Sequence, residues 1–407
     1  MRQRSARSAG WMAGAEVAVV VLAAPFLLFP TFRPLVTVGA CVALLMVWLA
    51  RWVLTGRPGA QTPLDVPLLL LTLMVPVAVW ASALPALTLP KLTGLILGLA
   101  TFRATVNAAR APHSFKVAVV TFLALGLGLA VAGLVSTDWL VKWAPLQPVL
   151  DRIPRLVDGL PGAKAGIHPN ELGGTVLLFL PVSLAALSLL GGNRHRKDRA
   201  LGLVALLLTL FFGAVLLLTQ SRSAWIGAVA GLGAMLWVRW PRMRWPLATA
   251  ALVAAFALWY FEPRSALAAL FPPAASGSVG SLGSTVTLEG RLELWNRALY
   301  AIQDFAFTGT GLGTFRRVVH LLYPLFLMGP GVDIGHAHNV FLQVALDLGL
   351  PGLVAYLALV GTALWIGWRL ARIPAAPLPQ MQEGMGVRGT SLRWLAVGIV
   401  GSLVAFH

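Results

Sequence analysis

The sequence predicts an all-α, polytopic membrane protein, and three observations carry that prediction. Of its 407 residues 58% are apolar and 11% charged, against about a quarter charged in soluble domains. Apolar runs long enough to cross a bilayer, about 20 residues each, recur along almost the whole chain. The basic residues sit between those runs. The net charge of +17 therefore does not point to nucleic acid, which needs basic residues gathered on a folded face beside base-reading elements. The single cysteine, Cys41, lies inside an apolar run, which excludes a disulfide framework and a Cys-based metal site.

Taken in order, spans are expected near residues 11–30, 34–54, 66–84, 89–107, 115–136, 170–191, 200–219, 222–240, 244–261, 338–372 and 390–407. The opening "MRQRSARSAG" with its apolar run resembles a secretory signal, but "FPTFRP" offers no small-residue cleavage site, so it reads as a retained first helix. The last run reaches His407 without a polar flank, so the expectation is 11 spans, or 12 if the chain continues. The N-terminus and the segments 51–65, 103–116, 192–200, 239–245 and 369–393 together hold 19 of the 31 Lys and Arg. By the positive-inside rule that side is cytoplasmic, which turns 137–169 and 262–337 outward. The whole chain, 1–407, reads as one integral membrane domain. Within it 262–337 is a large extracytoplasmic loop, and the Pro-rich stretch 374–389 is a cytoplasmic linker.

Function is sought where polar groups are expensive. Glu16, Glu171 and Asp347 are the acids in or beside apolar runs, and Arg222 interrupts "FGAVLLLTQSRSAWIGAVAG". Two readings of Arg222 stand: an interfacial arginine snorkelling to head groups, or an anion clamp whose guanidinium grips phosphate oxygens in pairs. In "LEGRLELWNRALYAIQDFAFTGTGLGTF", Leu292, Trp295, Leu299 and Ile302 recur at helical spacing opposite Glu293, Asn296, Arg297 and Gln303. An amphipathic helix of the outer loop is expected there. Arg291 falls in its first turn, where a cation opposes the helix dipole unless an anion shares the site; otherwise it is an ordinary solvated arginine. The "GTGLGTF" turn that follows offers backbone N–H groups for phosphate, or is simply sharp.

The stretch "GHAHNVFLQVALDLGLPG" (335–352) places His336, Asn339, Gln343 and Asp347 on one stripe at spacings of three and four. Gly349 is a natural helix terminator, and Pro351 can open a new segment because its missing N–H is not needed there. A broken helix is expected, and such breaks are tolerated in membranes where they line a cavity. An H-x-H pair on a helix would point its rings apart, and no third ligand has a diagnostic spacing, so no metal is expected.

Here the sequence resembles the bacterial O-antigen ligase and polymerase superfamily. His338-Asn339, nine residues, then Gly349 and Gly352 are similar to its ligase signature H-N-x9-G-x-x-G, and Arg222 with Ile226 is similar to Arg-x3-Leu, with Ile in place of Leu. "GRLELWNRAL" resembles the Arg and Trp that open the family's long outer-loop helix, and "HPNELGG" (168–174) resembles the segment leading into a central span. The motifs cover roughly residues 168–372; the first half of the chain matches only as generic spans.

The resemblance implies a GT-C-like glycosyltransferase architecture of the bacterial inner membrane. It implies transfer of a glycan from undecaprenyl diphosphate to a hydroxyl of a lipid-core, glycan or protein acceptor on the outer face. It further implies that His338 activates that hydroxyl in an inverting displacement. Arg222 and Arg291 can hold the departing diphosphate without metal or cofactor, and a histidine has the pKa for the proton. His336, Asn339, Asn170 and Arg297 are candidate substrate-binding residues. Asn170 and Glu171 also have a plainer reading, as cap and dipole partner of the next helix. Polymerase and protein O-oligosaccharyltransferase stand as alternatives within the family. A polytopic lipid or glycan transporter stands outside it; such proteins rely on intramembrane carboxylates, of which this chain has few.

Overall fold

The computed structural model describes residues 2–109, 114–139, 143–157, 167–187, 196–260, 288–327, 334–372 and 389–407. The helices are α1 (Arg2–Leu28), α2 (Pro34–Thr55), α3 (Asp65–Ala81), α4 (Pro85–Ala108), α5 (Ser114–Ser136), α6 (Pro169–Ala186), α7 (Arg196–Leu218), α8 (Arg222–Arg239), α9 (Arg244–Tyr260), α10 (Leu288–Asp304), α11 (Phe315–Leu322), α12 (Val340–Arg372) and α13 (Gly389–Phe406). Each expected span falls on one of them, and no strand occurs among the described residues. The segments Gly10–Leu28, Pro34–Thr55, Pro85–Ala108, Val117–Ser136 and Val340–Arg372 are long and apolar enough to cross a membrane, while Asp65–Ala81, Gly202–Leu218 and Arg393–Phe406 are shorter apolar helices. The protein is an all-α polytopic membrane protein. Residues 374–388 of the Pro-rich stretch lie outside the described residues, as do 262–287 and 328–333 of the 262–337 segment.

Local chemistry explains several boundaries. Pro34, Pro85 and Pro169 open their helices, where a missing N–H costs nothing and the fixed φ suits the first turn. Ser221 caps α8 by accepting the Ala224 N–H.

The chain forms two compact units, Met1–Arg110 with Leu258–Thr362, and Ala111–Ala257 with Ala363–His407. In the first, α1 packs on α2 and α4 through Val20, Ala23, Leu27, Leu44, Ala100 and Ala104. Beside that core Glu16 is buried and paired at both oxygens: Arg51 Nε donates to Oε1 and Arg51 Nη2 to Oε2 at 2.9 Å. Asn107 Nδ2 also donates to Oε2 at 2.9 Å, and its own Oδ1 accepts the Ala60 N–H at 2.9 Å. One polar knot thus joins three helices and a turn, with its charges matched as burial demands. A second core joins Leu294, Ala298 and Ala301 of α10, Phe315 and Val319 of α11, and Ala345 and Leu346 of α12.

In the second unit α13 lies against α6 and α8. Small residues permit the approach: a side chain at Gly227 would meet the Ala405 carbonyl oxygen at 2.4 Å, and one at Gly231 the Gly401 oxygen at 2.5 Å. The Gly227 and Gly231 pair is a G-x-x-x-G contact, which substitutes van der Waals closeness for the hydrophobic drive that lipid cannot supply.

Candidate active site

The expected amphipathic helix forms as α10, and its buried face matches the expected stripe at Ile302 and in part at Trp295 but not at its two leucines. Leu294, Ala298 and Ala301 are fully buried, whereas Leu292 and Leu299 are 52% and 51% exposed. The small alanines let α10 approach α11 and α12 closely, and this packing outweighs the larger leucines in choosing the face. Trp295 is half-buried, and its indole N–H donates to the Ala337 carbonyl at 3.0 Å. Ala337 is the residue between the two histidines.

Its other backbone group is held as well. The Ala337 N–H donates to Gln343 Oε1 at 2.9 Å, and Gln343 Nε2 donates to Asp347 Oδ1 at 2.9 Å. Asp347, buried, also accepts the Gly313 N–H at 2.9 Å and faces Lys91 Nζ at 3.4 Å. The polar stripe of α12 is thus a hydrogen-bonded chain that ends on the backbone between His336 and His338. The rings of those two residues approach to 4.3 Å between centroids. The expectation that they point apart assumed a helix; α12 begins only at Val340, and residues 334–339 are irregular.

Asn339 has a structural duty that the sequence reading missed. Its Oδ1 accepts the N–H groups of Phe341 at 3.0 Å and Leu342 at 3.1 Å, capping α12. Immediately before it, His338 adopts φ 51°. Among the described residues only Gln220 and His338 have positive φ without being glycine, and both lie in segments the sequence singles out. Side chains in that region are strained and cluster at functional sites.

The signature glycines are explained by geometry. Gly349 has φ 71° and ψ 179°, the break in α12, and a side chain there would meet the Phe307 carbonyl oxygen at 2.1 Å. At Gly352 it would strike Leu348 Cβ at 2.2 Å. The break is stitched to the turn after α10: the Leu350 N–H donates to Ala306 O, and the Thr310 N–H to Leu346 O, both at 2.7 Å. In "GTGLGTF" the Gly309, Thr310 and Gly313 N–H groups are taken by Phe305 O, Leu346 O and Asp347. Those three donors bind α10 and α12, so the turn is an internal joint and they do not form a phosphate cradle.

Arg291 lies on α10 one turn before Trp295, on the same side as the residue that grips the histidine segment. Burial pushes its guanidinium pKa down from the ordinary value, the sign of a charge placed where water is scarce. Arg297 lies over the rings of Phe326 at 5.4 Å and Tyr300 at 6.0 Å, and its buried Nε has no hydrogen-bond partner among the described residues. Glu293 accepts the Phe326 and Leu327 N–H groups at 2.6 and 3.0 Å, fixing the strand of chain beneath Arg297.

Arg222 and Asn170 belong to the second unit, where the two motifs that contain them meet. Gly173 of "HPNELGG" leaves room for the "TQSRS" turn; a side chain there would lie 2.9 Å from Ala224 Cβ and 3.3 Å from Ser221 Cβ. The turn is braced by Gln220 Oε1, which accepts the Trp143 N–H at 2.7 Å, and by Trp225, whose indole donates to Leu216 O at 3.1 Å. Arg222 opens α8 and is half-buried. Asn170 does not cap α6: the cap is His168, whose Nδ1 accepts the Asn170 N–H at 3.1 Å. Pro169 occupies the first helical position and shifts the cap back by two residues.

Lys91 and Trp295 were not among the expected site residues. Lys91 interrupts the apolar run "PALTLPKLTGLIL", which is the same signal that draws attention to Arg222. The role of Trp295 follows from a contact across 42 residues, which no local pattern encodes.

No curated protein matches the chain. Residues 205–357 match the family model described as O-antigen ligase, a stretch that contains Arg222, Arg291, His336, His338, Asn339 and both signature glycines. Over that stretch the chain is similar to the O-antigen ligase family, in agreement with the resemblance its motifs carry.

Proposed function

We propose that the protein is a ligase-type glycosyltransferase that moves a glycan from undecaprenyl diphosphate to an acceptor hydroxyl at the outer face of the inner membrane. The observation that carries this reading is the His336–His338 segment. Both backbone groups of Ala337 are clamped, and His338 is held in a strained conformation directly before a capped and broken helix. A base that must meet one hydroxyl benefits from such fixing, since near-attack geometry alone is worth several kcal/mol.

In this reading His338 takes the acceptor proton as the hydroxyl attacks the anomeric carbon, and the bond to the diphosphate breaks with inversion. Arg291 and Arg222 stabilise the charge that grows on the leaving diphosphate, permanently charged and able to bind oxygens in pairs. Arg222 enters on the family resemblance of its motif. His336, Asn339, Asn170 and Arg297 contact substrate, and no metal takes part. The reaction needs only donor, acceptor and the bilayer.

The test is glycan transfer from a polyprenyl-diphosphate donor in reconstituted membranes with chelator present. Wild type is compared with His338→Ala, Arg222→Ala and Arg291→Ala at equal folded amounts. Chelator-resistant transfer lost in all three is the expected result, and product mobility identifies a lipid-core, glycan or protein acceptor. Full activity of His338→Ala refutes the mechanism, and product of the wrong stereochemistry refutes inversion.

A further inference from the structure

At one end of the second unit, the C-terminal end of α8, the start of α9, the C-terminal turns of α12 and the start of α13 gather arginines and tryptophans. The Arg239 guanidinium carbon lies 4.9 Å from the Trp394 ring centre and 5.7 Å from that of Trp240, and these two rings meet edge to face at 5.4 Å. Arg372 lies 3.9 Å and Arg244 5.8 Å from the centre of Trp368, and Arg369 lies 5.2 Å from Trp365. Trp368 and Trp394 pack on one core of Ala185, Met235, Val238, Val397 and Val400. An open cleft of about 410 Å³ is lined by Trp365, Trp368, Arg369 and Arg372.

Among the described residues none of these arginines is paired with a carboxylate. Two cations share the Trp368 ring, and Arg393 Nη2, next in sequence to Trp394, is buried without a hydrogen-bond partner among the described residues. Like charges brought this close repel unless an anion lies among them. A cation over an indole face keeps its N–H edge available for an oxyanion. Tryptophans at the ends of apolar helices belong to the membrane–water boundary, where the abundant anions are lipid phosphates.

We propose that this patch binds the phosphodiester head group of an anionic membrane phospholipid, with Arg244, Arg369 and Arg372 as ligands above the Trp365 and Trp368 rings. The lipid's glycerol and upper acyl carbons rest on the exposed edge of Trp365, which is 53% exposed. This site is separate from the residues proposed for glycan transfer and does not depend on that reading.

The test uses the full chain, delipidated in detergent and titrated with phosphatidylglycerol or phosphatidylcholine, with retained lipid counted by native mass spectrometry. Wild type is expected to retain phosphatidylglycerol at least about fivefold better, and the Arg244→Gln/Arg369→Gln/Arg372→Gln variant to lose that preference, as charge-assisted contacts would. A control that removes the same charge elsewhere, Arg33→Gln/Arg152→Gln/Arg317→Gln, keeps it. If the first triple variant does not fold, Arg372→Gln alone carries the test, with an expected loss of roughly twofold or more. Equal retention of the two lipids by wild type overturns the proposal. So does equal loss in the control, or soluble glycerol phosphate displacing the lipid at equal concentration, which would make this a site for a free phosphate.

Discussion

Replacing Gly349 by alanine perturbs the break in α12 at the point where backbone angle and space are both restrictive. The residue sits at φ 71° and ψ 179°, a region essentially reserved for glycine, in which a side chain costs about 1–3 kcal/mol. The added Cβ would also lie 2.1 Å from the Phe307 carbonyl oxygen, so the turn after α10 must move away. That movement loosens two 2.7 Å bonds, from Leu350 N to Ala306 O and from Thr310 N to Leu346 O, worth about 1 kcal/mol each. Together the loss is roughly 3–5 kcal/mol. At about 1 °C per kcal/mol when the unfolding entropy scales with a chain of 407 residues, thermal unfolding in detergent at a fixed scan rate should fall by about 3–6 °C. Gly361 in the same helix is the internal control, because a side chain there meets nothing within 4 Å. Gly361→Ala should be neutral or stabilise by up to about 1 kcal/mol through helix propensity. If Gly349→Ala unfolds with wild type, or if both variants shift alike, the argument from backbone angle and stitching is wrong.

Four further outcomes follow from the same structure. Gly231→Val should lower the unfolding temperature by an amount equal to about 1–3 kcal/mol of overpacking, because its side chain meets the Gly401 oxygen, whereas Gly233→Val, with nothing within 4 Å, should not. Glu16→Ala strands the buried Arg51 charge and should cost about 3–5 kcal/mol, most of it regained in the Glu16→Met/Arg51→Met double variant, as read by denaturation of both. Gln343→Leu removes the acceptor of the Ala337 N–H and a donor to Asp347; it should cost about 1–3 kcal/mol and lower glycan transfer at least about tenfold by releasing the histidine segment. The Tyr323 hydroxyl is raised above its ordinary pKa of about 10 by burial and then by donation to Asp304 at 2.6 Å. The folded state thus holds this proton more tightly than the unfolded one, so its contribution is complete below about pH 10 and declines as pH rises above it. Tyr323→Phe should flatten the fall of unfolding temperature between about pH 9 and pH 11.

The helices were legible because composition and period leave little choice for runs such as 34–54 or 115–136. The break at Gly349 was legible too, since glycine and proline two residues apart punctuate an otherwise unbroken apolar run. The position of the polar stripe was read correctly for Gln343 and Asp347, which share a face by spacing alone. His336 escaped that register because Asn339 caps the helix and ends it three residues short. The buried face of α10 was legible at Ile302 but not at Ala298 and Ala301, because hydrophobicity ranks leucine above alanine, while close packing of helices ranks them the other way. Lys91 faces Asp347 across 256 residues, a pairing that only the folded chain can make.

The joint between α10 and α12 is made from main-chain atoms: Leu350 to Ala306 and Thr310 to Leu346. Amide and carbonyl groups are the same whatever side chains flank them. Leu292, Leu299, Tyr300 and Phe307 on this segment are exposed, so their identities can drift without loosening the anchorage. The surface of this segment can therefore be changed, by selection or by design, while the histidines stay where the peptide backbone puts them.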